Sequence, residues 1–225
     1  MNSDPIFHPF TKQFLRIPSF CLAVIFLLAM TVETMAASNS IAGAASFRHA
    51  ALGNLVSLST DLVPKWSRVR TDLKSVGRGR VALARSQHTR SWSRWGHLVE
   101  RKKAVTLGAL AVGIHRRLQK VAYREDGDGD VWQTPEETLA AMAGDCEDQA
   151  ILGLSLALAA GVPPSEVGLA VGYDKYGRAH AILAIFDGDR VLAVDINEPK
   201  VQEIEASGFQ ARMVTFVDQV WITRN

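Results

Sequence analysis

Asp187-Gly188 separates two runs rich in Val, Ile and Leu, from Ala179 to Phe186 and from Arg190 to Ile196. An Asp-Gly pair between two such runs is a strong signal for a two-residue hairpin turn. The chain must then fold around an antiparallel pair whose register the turn sets. With Asp187 and Gly188 as the turn residues, Phe186 pairs with Asp189 and His180 stands opposite Asp195 on the same face. Their Cβ atoms would lie about 5 Å apart. Moving the turn to Gly188-Asp189 puts Asn197 opposite His180 and leaves Asp195 a diagonal neighbour on that face. In both registers a carboxylate can orient the imidazole.

Further strands are expected from Val167 to Tyr173 and from Met213 to Ile222. Helices precede them. Thr134, Pro135 and Glu137 mark a helix start with a capping box, and Gly144 ends that helix. Asp145 can cap a second helix, which Ile151, Leu152, Leu154, Leu156 and Leu158 bury and Gly161, Pro163 and Pro164 stop. Earlier helices are expected around Leu62 to Leu73 and from His97 to about Val121. Helices first and antiparallel strands after them give an α+β fold. The stretch from Val76 to Trp95, rich in Arg, Ser and Gly, reads as a loop.

Lys12 and Arg16 lead into an apolar run from Phe20 to Met30, and small residues follow at Thr34, Ala36 and Ala37. This order is that of a secretory signal peptide, with cleavage expected after Ala36. The run is too short for the roughly 20 residues that span a bilayer, so no stable membrane span is expected after cleavage. The organisation read from the sequence is a signal peptide over 1–36, a partly helical extension over 37–95 and a main domain over 96–225. Cleavage removes Cys21 and leaves Cys146 as the only thiol. An unpaired cysteine in an oxidising compartment is either a buried spectator or reactive.

The net charge is +2, but its distribution is uneven. Between Lys65 and Arg124 there are 16 Lys or Arg against two acids, and from Glu125 onward 18 acids against six Lys or Arg. No zinc-finger spacing or aromatic-rich RNA-binding motif accompanies the basic half, so nucleic acid is not an expected partner.

Cys146 falls at the first turn of the apolar helix, where free N–H groups and the helix dipole favour a thiolate. Asp145, Glu147 and Asp148 oppose this, so an imidazolium or a bound cation is needed to offset them. His180 with Asp195 supplies the base and its orienting group, which with Cys146 makes a nucleophilic site. The Cys146 N–H is a natural oxyanion donor, and Trp132 and Gln133 are candidates for the second. Asp126, Asp128, Asp130 and Glu137 fit EF-hand positions, but Val131 stands where the motif needs Gly. A calcium ion held by Asp145 and Glu147 is better motivated, because hard carboxylates suit it.

Trp132-Gln133-Thr134-Pro135-Glu136-Glu137, Gly144-Asp145-Cys146-Glu147-Asp148-Gln149-Ala150, Gly161-Val162, Ala179-His180-Ala181 and Val194-Asp195 together resemble the bacterial transglutaminase-like cysteine proteinases, in particular the LapG type. The resemblance covers roughly residues 95 to 225. It implies a papain-like, transglutaminase-type fold with the nucleophile at a helix N-terminus. It also implies a catalytic triad of Cys146, His180 and Asp195, and calcium on Asp145 and Glu147. The expected function is periplasmic cleavage of a large surface adhesin at a dialanine-containing site, releasing cells from biofilm. An inner-membrane receptor under cyclic-dinucleotide control is the further partner it implies. Acyl transfer to an amine, by an amidase or transglutaminase, and a non-catalytic binding module on the same fold are the competing readings.

Overall fold

The computed structural model describes residues 55–78 and 106–223. The expected signal peptide, the Arg/Ser-rich stretch beyond Arg78 and the helical start expected at His97 lie outside the described residues. Seven strands form one sheet: β1 (Leu55–Leu58), β4 (Val167–Tyr173), β5 (Ala179–Asp187), β6 (Arg190–Val194), β7 (Gln202–Glu203), β8 (Gln210–Thr215) and β9 (Val220–Thr223). Their spatial order is β1-β9-β8-β4-β5-β6-β7, antiparallel throughout. Two short strands, β2 (Ala122–Tyr123) and β3 (Ala143–Gly144), pair in parallel beside it. The helices are α1 (Pro64–Arg78), α2 (Leu107–Leu118), α3 (Pro135–Ala141), α4 (Cys146–Ala159) and the single turn α5 (Ile204–Ser207). Among the described residues no helix is long and apolar enough to cross a membrane.

Helix α4 is the centre. Every residue from Glu147 to Leu158 is buried, so the helix has no solvent face. Such a helix must be surrounded by other elements. Ile151 and Leu154 share one core with Leu169, Leu183, Ile185 and Val194 of the sheet. Trp66, Val69 and Leu73 of α1 and Leu110, Ile114 and Leu118 of α2 complete that core. Strand alternation sends Ile182, Ala184 and Phe186 to the other face, into a second cluster with Val191, Val214 and Phe216. Strand β5 is thus covered on both faces, which explains its continuous apolar run.

Residues 55–74 belong to the same folded unit as the later chain. Strand β1 pairs with β9, and α1 contributes to the common core. The basic first half meets the acidic second half within the molecule. Lys65 pairs with Asp130, Arg68 with Glu137 at 2.7 Å, and Lys74 with Asp218 at 2.5 Å.

The hairpin turn falls at Gly188-Asp189, not at Asp187-Gly188. Asp187 pairs with Arg190 and Leu183 with Val194. The register that puts His180 directly opposite Asp195 is therefore corrected by one residue on each strand. The physical reason is local. Gly188 takes the first turn position with φ 66°, and Asp187 remains in the strand, tied to Arg190 at 2.7 Å.

The β4–β8 ladder carries a bulge between Val171 and Gly172. A Cβ on Gly172 would lie 2.0 Å from the carbonyl oxygen of Gln210 and 2.9 Å from its carbonyl carbon. The clash is with backbone and cannot be relieved by a rotamer. Gly172→Ala should destabilise the protein by about 1–3 kcal/mol, the range for overpacking. A lowered urea midpoint at unchanged m-value would check it.

Candidate active site

The site is built where β3 runs into α4. The carbonyl of Gly144 accepts from the Arg124 N–H at 3.1 Å and from Gln149 Nε2 at 3.0 Å. A Cβ on Gly144 would stand 2.6 Å from Cβ and Oδ2 of Asp148, so the approach requires glycine. Asp148 is fully buried and collects donors accordingly. It accepts from the Gln133 N–H at 2.7 Å, from Gln133 Nε2, and from the Asp145 N–H at 3.3 Å. The Gln133 backbone N–H and one Nε2 hydrogen are committed to Asp148, which leaves the second Nε2 hydrogen. Trp132 is buried edge-on against Trp66, with centroids 6.4 Å apart.

Cys146 is the first residue of α4 and the free cysteine of the described residues. Its thiol donates to Glu147 Oε2 at 3.2 Å. Its sulfur also meets the backbone N–H of Ala181, the residue after His180. His180 is buried in β5, and its Nε2 lies 3.0 Å from Asp195 Oδ1. The two are at ion-pair distance, but the ring N–H is not aligned for a hydrogen bond. Asp195 follows directly on β6, past the last ladder pair Leu183–Val194, and from there its carboxylate reaches His180. The His180 ring also packs edge-on to Phe209 at 6.4 Å.

Asp145 and Glu147 are brought together with a third acid. Carboxylate oxygens of Asp126, Asp145 and Glu147 lie within 4.8 Å of one another. The sequence offered Asp126 only as the first position of an EF-hand loop that Val131 spoils, and did not bring it to Asp145 and Glu147. The signal that could have found it was the loop carboxylate preceding β3 and α4 in a chain already crowded with acids there. Two of the remaining EF-hand positions are engaged elsewhere: Asp130 with Lys65, and Glu137 with Arg68 and the Thr134 N–H. The trio fits a divalent cation on the chemistry of its donors. All three are hard oxygen ligands, and Asp145 Oδ1 is buried without a partner.

Burial, then the neighbouring carboxylate Asp148, raises the Asp145 carboxyl above its ordinary range. Burial, then Asp145, does the same to Glu147. Burial also pushes the Cys146 thiol up, and Glu147 and Asp145 push it further. As it stands the thiol is held in its protonated form.

An antiparallel sheet backing a buried helix that begins with the free cysteine of the described residues defines a papain-like, transglutaminase-type α+β fold. Residues 88–223 match the family described as bacterial transglutaminase-like cysteine proteinase, and the chain belongs to that family. It is a cysteine peptidase. Two solved structures of LapG from Legionella pneumophila share the fold. The EGTA-treated form matches at TM-score 0.55 and 19% identity, covering 70% of this chain and 86% of LapG. The calcium-bound form matches at TM-score 0.55 and 20% identity, covering 69% and 90%. The curated proteins gave no match.

The raised carboxyls have a consequence for stability. Because their folded-state pKa values are raised, the folded protein binds more protons than the unfolded chain. Its stability therefore falls as pH rises from the ordinary carboxylate range, about 4, through the raised values. In a chelator, the thermal midpoint should drop between about pH 5 and pH 8. Glu147→Gln should flatten that drop; an equally steep decline in the variant would show that the slope arises elsewhere.

Proposed function

We propose that the protein is an exported, calcium-dependent cysteine endopeptidase that cleaves a large surface adhesin in the periplasm. Cys146 is its nucleophile, His180 its base and Asp195 the group that orients the base. The observation that carries this reading is the thiol at the start of the buried helix, set against the β5 backbone at Ala181, the residue after His180 of the His180–Asp195 pair, and against Glu147 of the three converging carboxylates. The leader sequence supports export. The fold shared with LapG, a protein solved in a calcium-bound form, supports the metal. Release from a biofilm and sequestration by an inner-membrane receptor are the physiological roles that go with this reading.

In the reaction His180 takes the thiol proton and the Cys146 sulfur attacks the scissile carbonyl carbon. The N–H of Cys146, at the first turn of α4 and without an intrahelical partner, faces the developing oxyanion. The imidazolium returns the proton to the leaving amine as the C–N bond breaks, leaving an acyl-enzyme. Water then gives a proton to His180 and its oxygen to the acyl carbon, which releases the acid and restores the thiol. Asp195 holds the imidazole throughout. Asp126, Asp145 and Glu147 would hold the calcium ion, whose charge offsets the carboxylates that otherwise keep the thiol protonated.

The test is incubation with the N-terminal region of a large adhesin from the same genome. The intact protein should cleave it with calcium and fail to do so in a chelator. Cys146→Ala should cut nothing while keeping its thermal midpoint. Retained cleavage by that variant would sink the nucleophile, and cleavage that survives the chelator would sink the metal.

A further inference from the structure

His115 lies on α2, a helix with no part in the site described above. It is 4% exposed. Its Nε2 lies 3.0 Å from the backbone carbonyl of Asp195 and 3.0 Å from that of Glu198. Carbonyl oxygens only accept, so Nε2 must carry a hydrogen and donate to both. The two carbonyls bound a tight turn, closed by the Glu198 N–H to the Asp195 carbonyl at 3.3 Å. Within it the Asn197 N–H donates to Asp195 Oδ1 at 2.9 Å.

This turn stands outside the sheet. The β5–β6 ladder ends at Leu183 and Val194, so no ladder hydrogen bond fixes Asp195. Its carboxylate nevertheless has to sit 3.0 Å from His180 Nε2. What holds the turn is an imidazole from the helical layer at its two carbonyls and, at the rim, Lys175 on the Glu198 carboxylate at 2.6 Å. The rim pair is solvent-exposed on the lysine side and counts for little. The buried imidazole is the stronger restraint, because its one N–H is shared by both carbonyls and ties the turn to α2.

We propose that His115 is a positioning residue that anchors the Asp195–Glu198 turn to α2 and so sets the Asp195 carboxylate against His180. The proposal rests on the catalytic reading of His180 and Asp195. Leucine at 115 fills the space but cannot donate, whereas glutamine can donate through its amide.

The experiment measures kcat and KM on the adhesin fragment for His115→Leu, His115→Gln, Asp195→Ala and the His115→Leu/Asp195→Ala double variant. His115→Leu should lower kcat by about 10²-fold, the scale of a small misplacement, with KM little changed. His115→Gln should recover most of that loss. In the Asp195→Ala background His115→Leu should cost nothing further, because the group it positions is gone. Equal losses in both backgrounds, or no loss in the wild-type background, would overturn the proposal. Unchanged kcat in Asp195→Ala would overturn the triad reading instead, and the positioning role with it. If His115→Leu does not fold, the tautomer decides. Nitrogen NMR of the unmodified protein should find the hydrogen of His115 on Nε2, and a neutral ring protonated only on Nδ1 would overturn the assignment.

Discussion

The structure depends on burying α4, a helix with no solvent face. Its apolar length is satisfied by the sheet on one side and by α1 and α2 on the others. That leaves one end for every charged group the helix carries, Ser155 being the polar residue of its buried middle. Asp145, Glu147, Asp148 and Gln149 are all crowded into the first turn and the residue before it, and all are buried. Cys146 is trapped among them. The same packing that stabilises the domain thus creates the electrostatic problem at its reactive end.

The neighbouring elements are arranged around that end. Asp148 is neutralised structurally, by donors from Gln133 and from the Asp145 N–H. Asp145 and Glu147 have no comparable set of donors and turn toward Asp126. The thiol points to the β5 backbone at Ala181, and the imidazole arises from the residue before it. Helix, hairpin and loop therefore meet at one place. The position Gly144 must occupy shows how tight the junction is.

Much of this was legible in the sequence, because it rests on local signals. The Thr134 capping box forms as its residues predict, and α4 begins and ends close to where its cap and its glycine and prolines put it. The hairpin was legible too, but its register was not. An Asp-Gly pair does not say which of its residues opens the turn; here Gly188, at φ 66°, takes the first turn position. Strand β1 was missed because its partner β9 lies at the other end of the chain and leaves no local mark. The same holds for the ion pairs of α1, for Asp126 in the acidic trio, and for His115. Each depends on long-range proximity, and His115 reads from its helix as one more core residue.

On the proposed reading, the order of magnitude of the forces on Cys146 makes its reactivity conditional. A helix N-terminus favours an anion by about 0.3–1 kcal/mol, and by at most about 2 in buried geometry. One carboxylate at about 4 Å opposes a thiolate by about 4 kcal/mol at an effective dielectric of about 20. Glu147 Oε2 stands 3.2 Å from the sulfur, so whenever that carboxyl, raised by its burial, is ionised it opposes the thiolate. Burial acts in the same direction as the carboxylate, so the dipole cannot win alone. A lone imidazolium would also be drawn to Asp195, with which His180 is already paired. Charge brought to the other side of the thiol, among Asp126, Asp145 and Glu147, removes the opposition at its source. On the proposed reading, the acids beside the nucleophile are what make its activation depend on a cation. A thiol flanked by neutral residues at the same helix start would be reactive whenever the protein was folded.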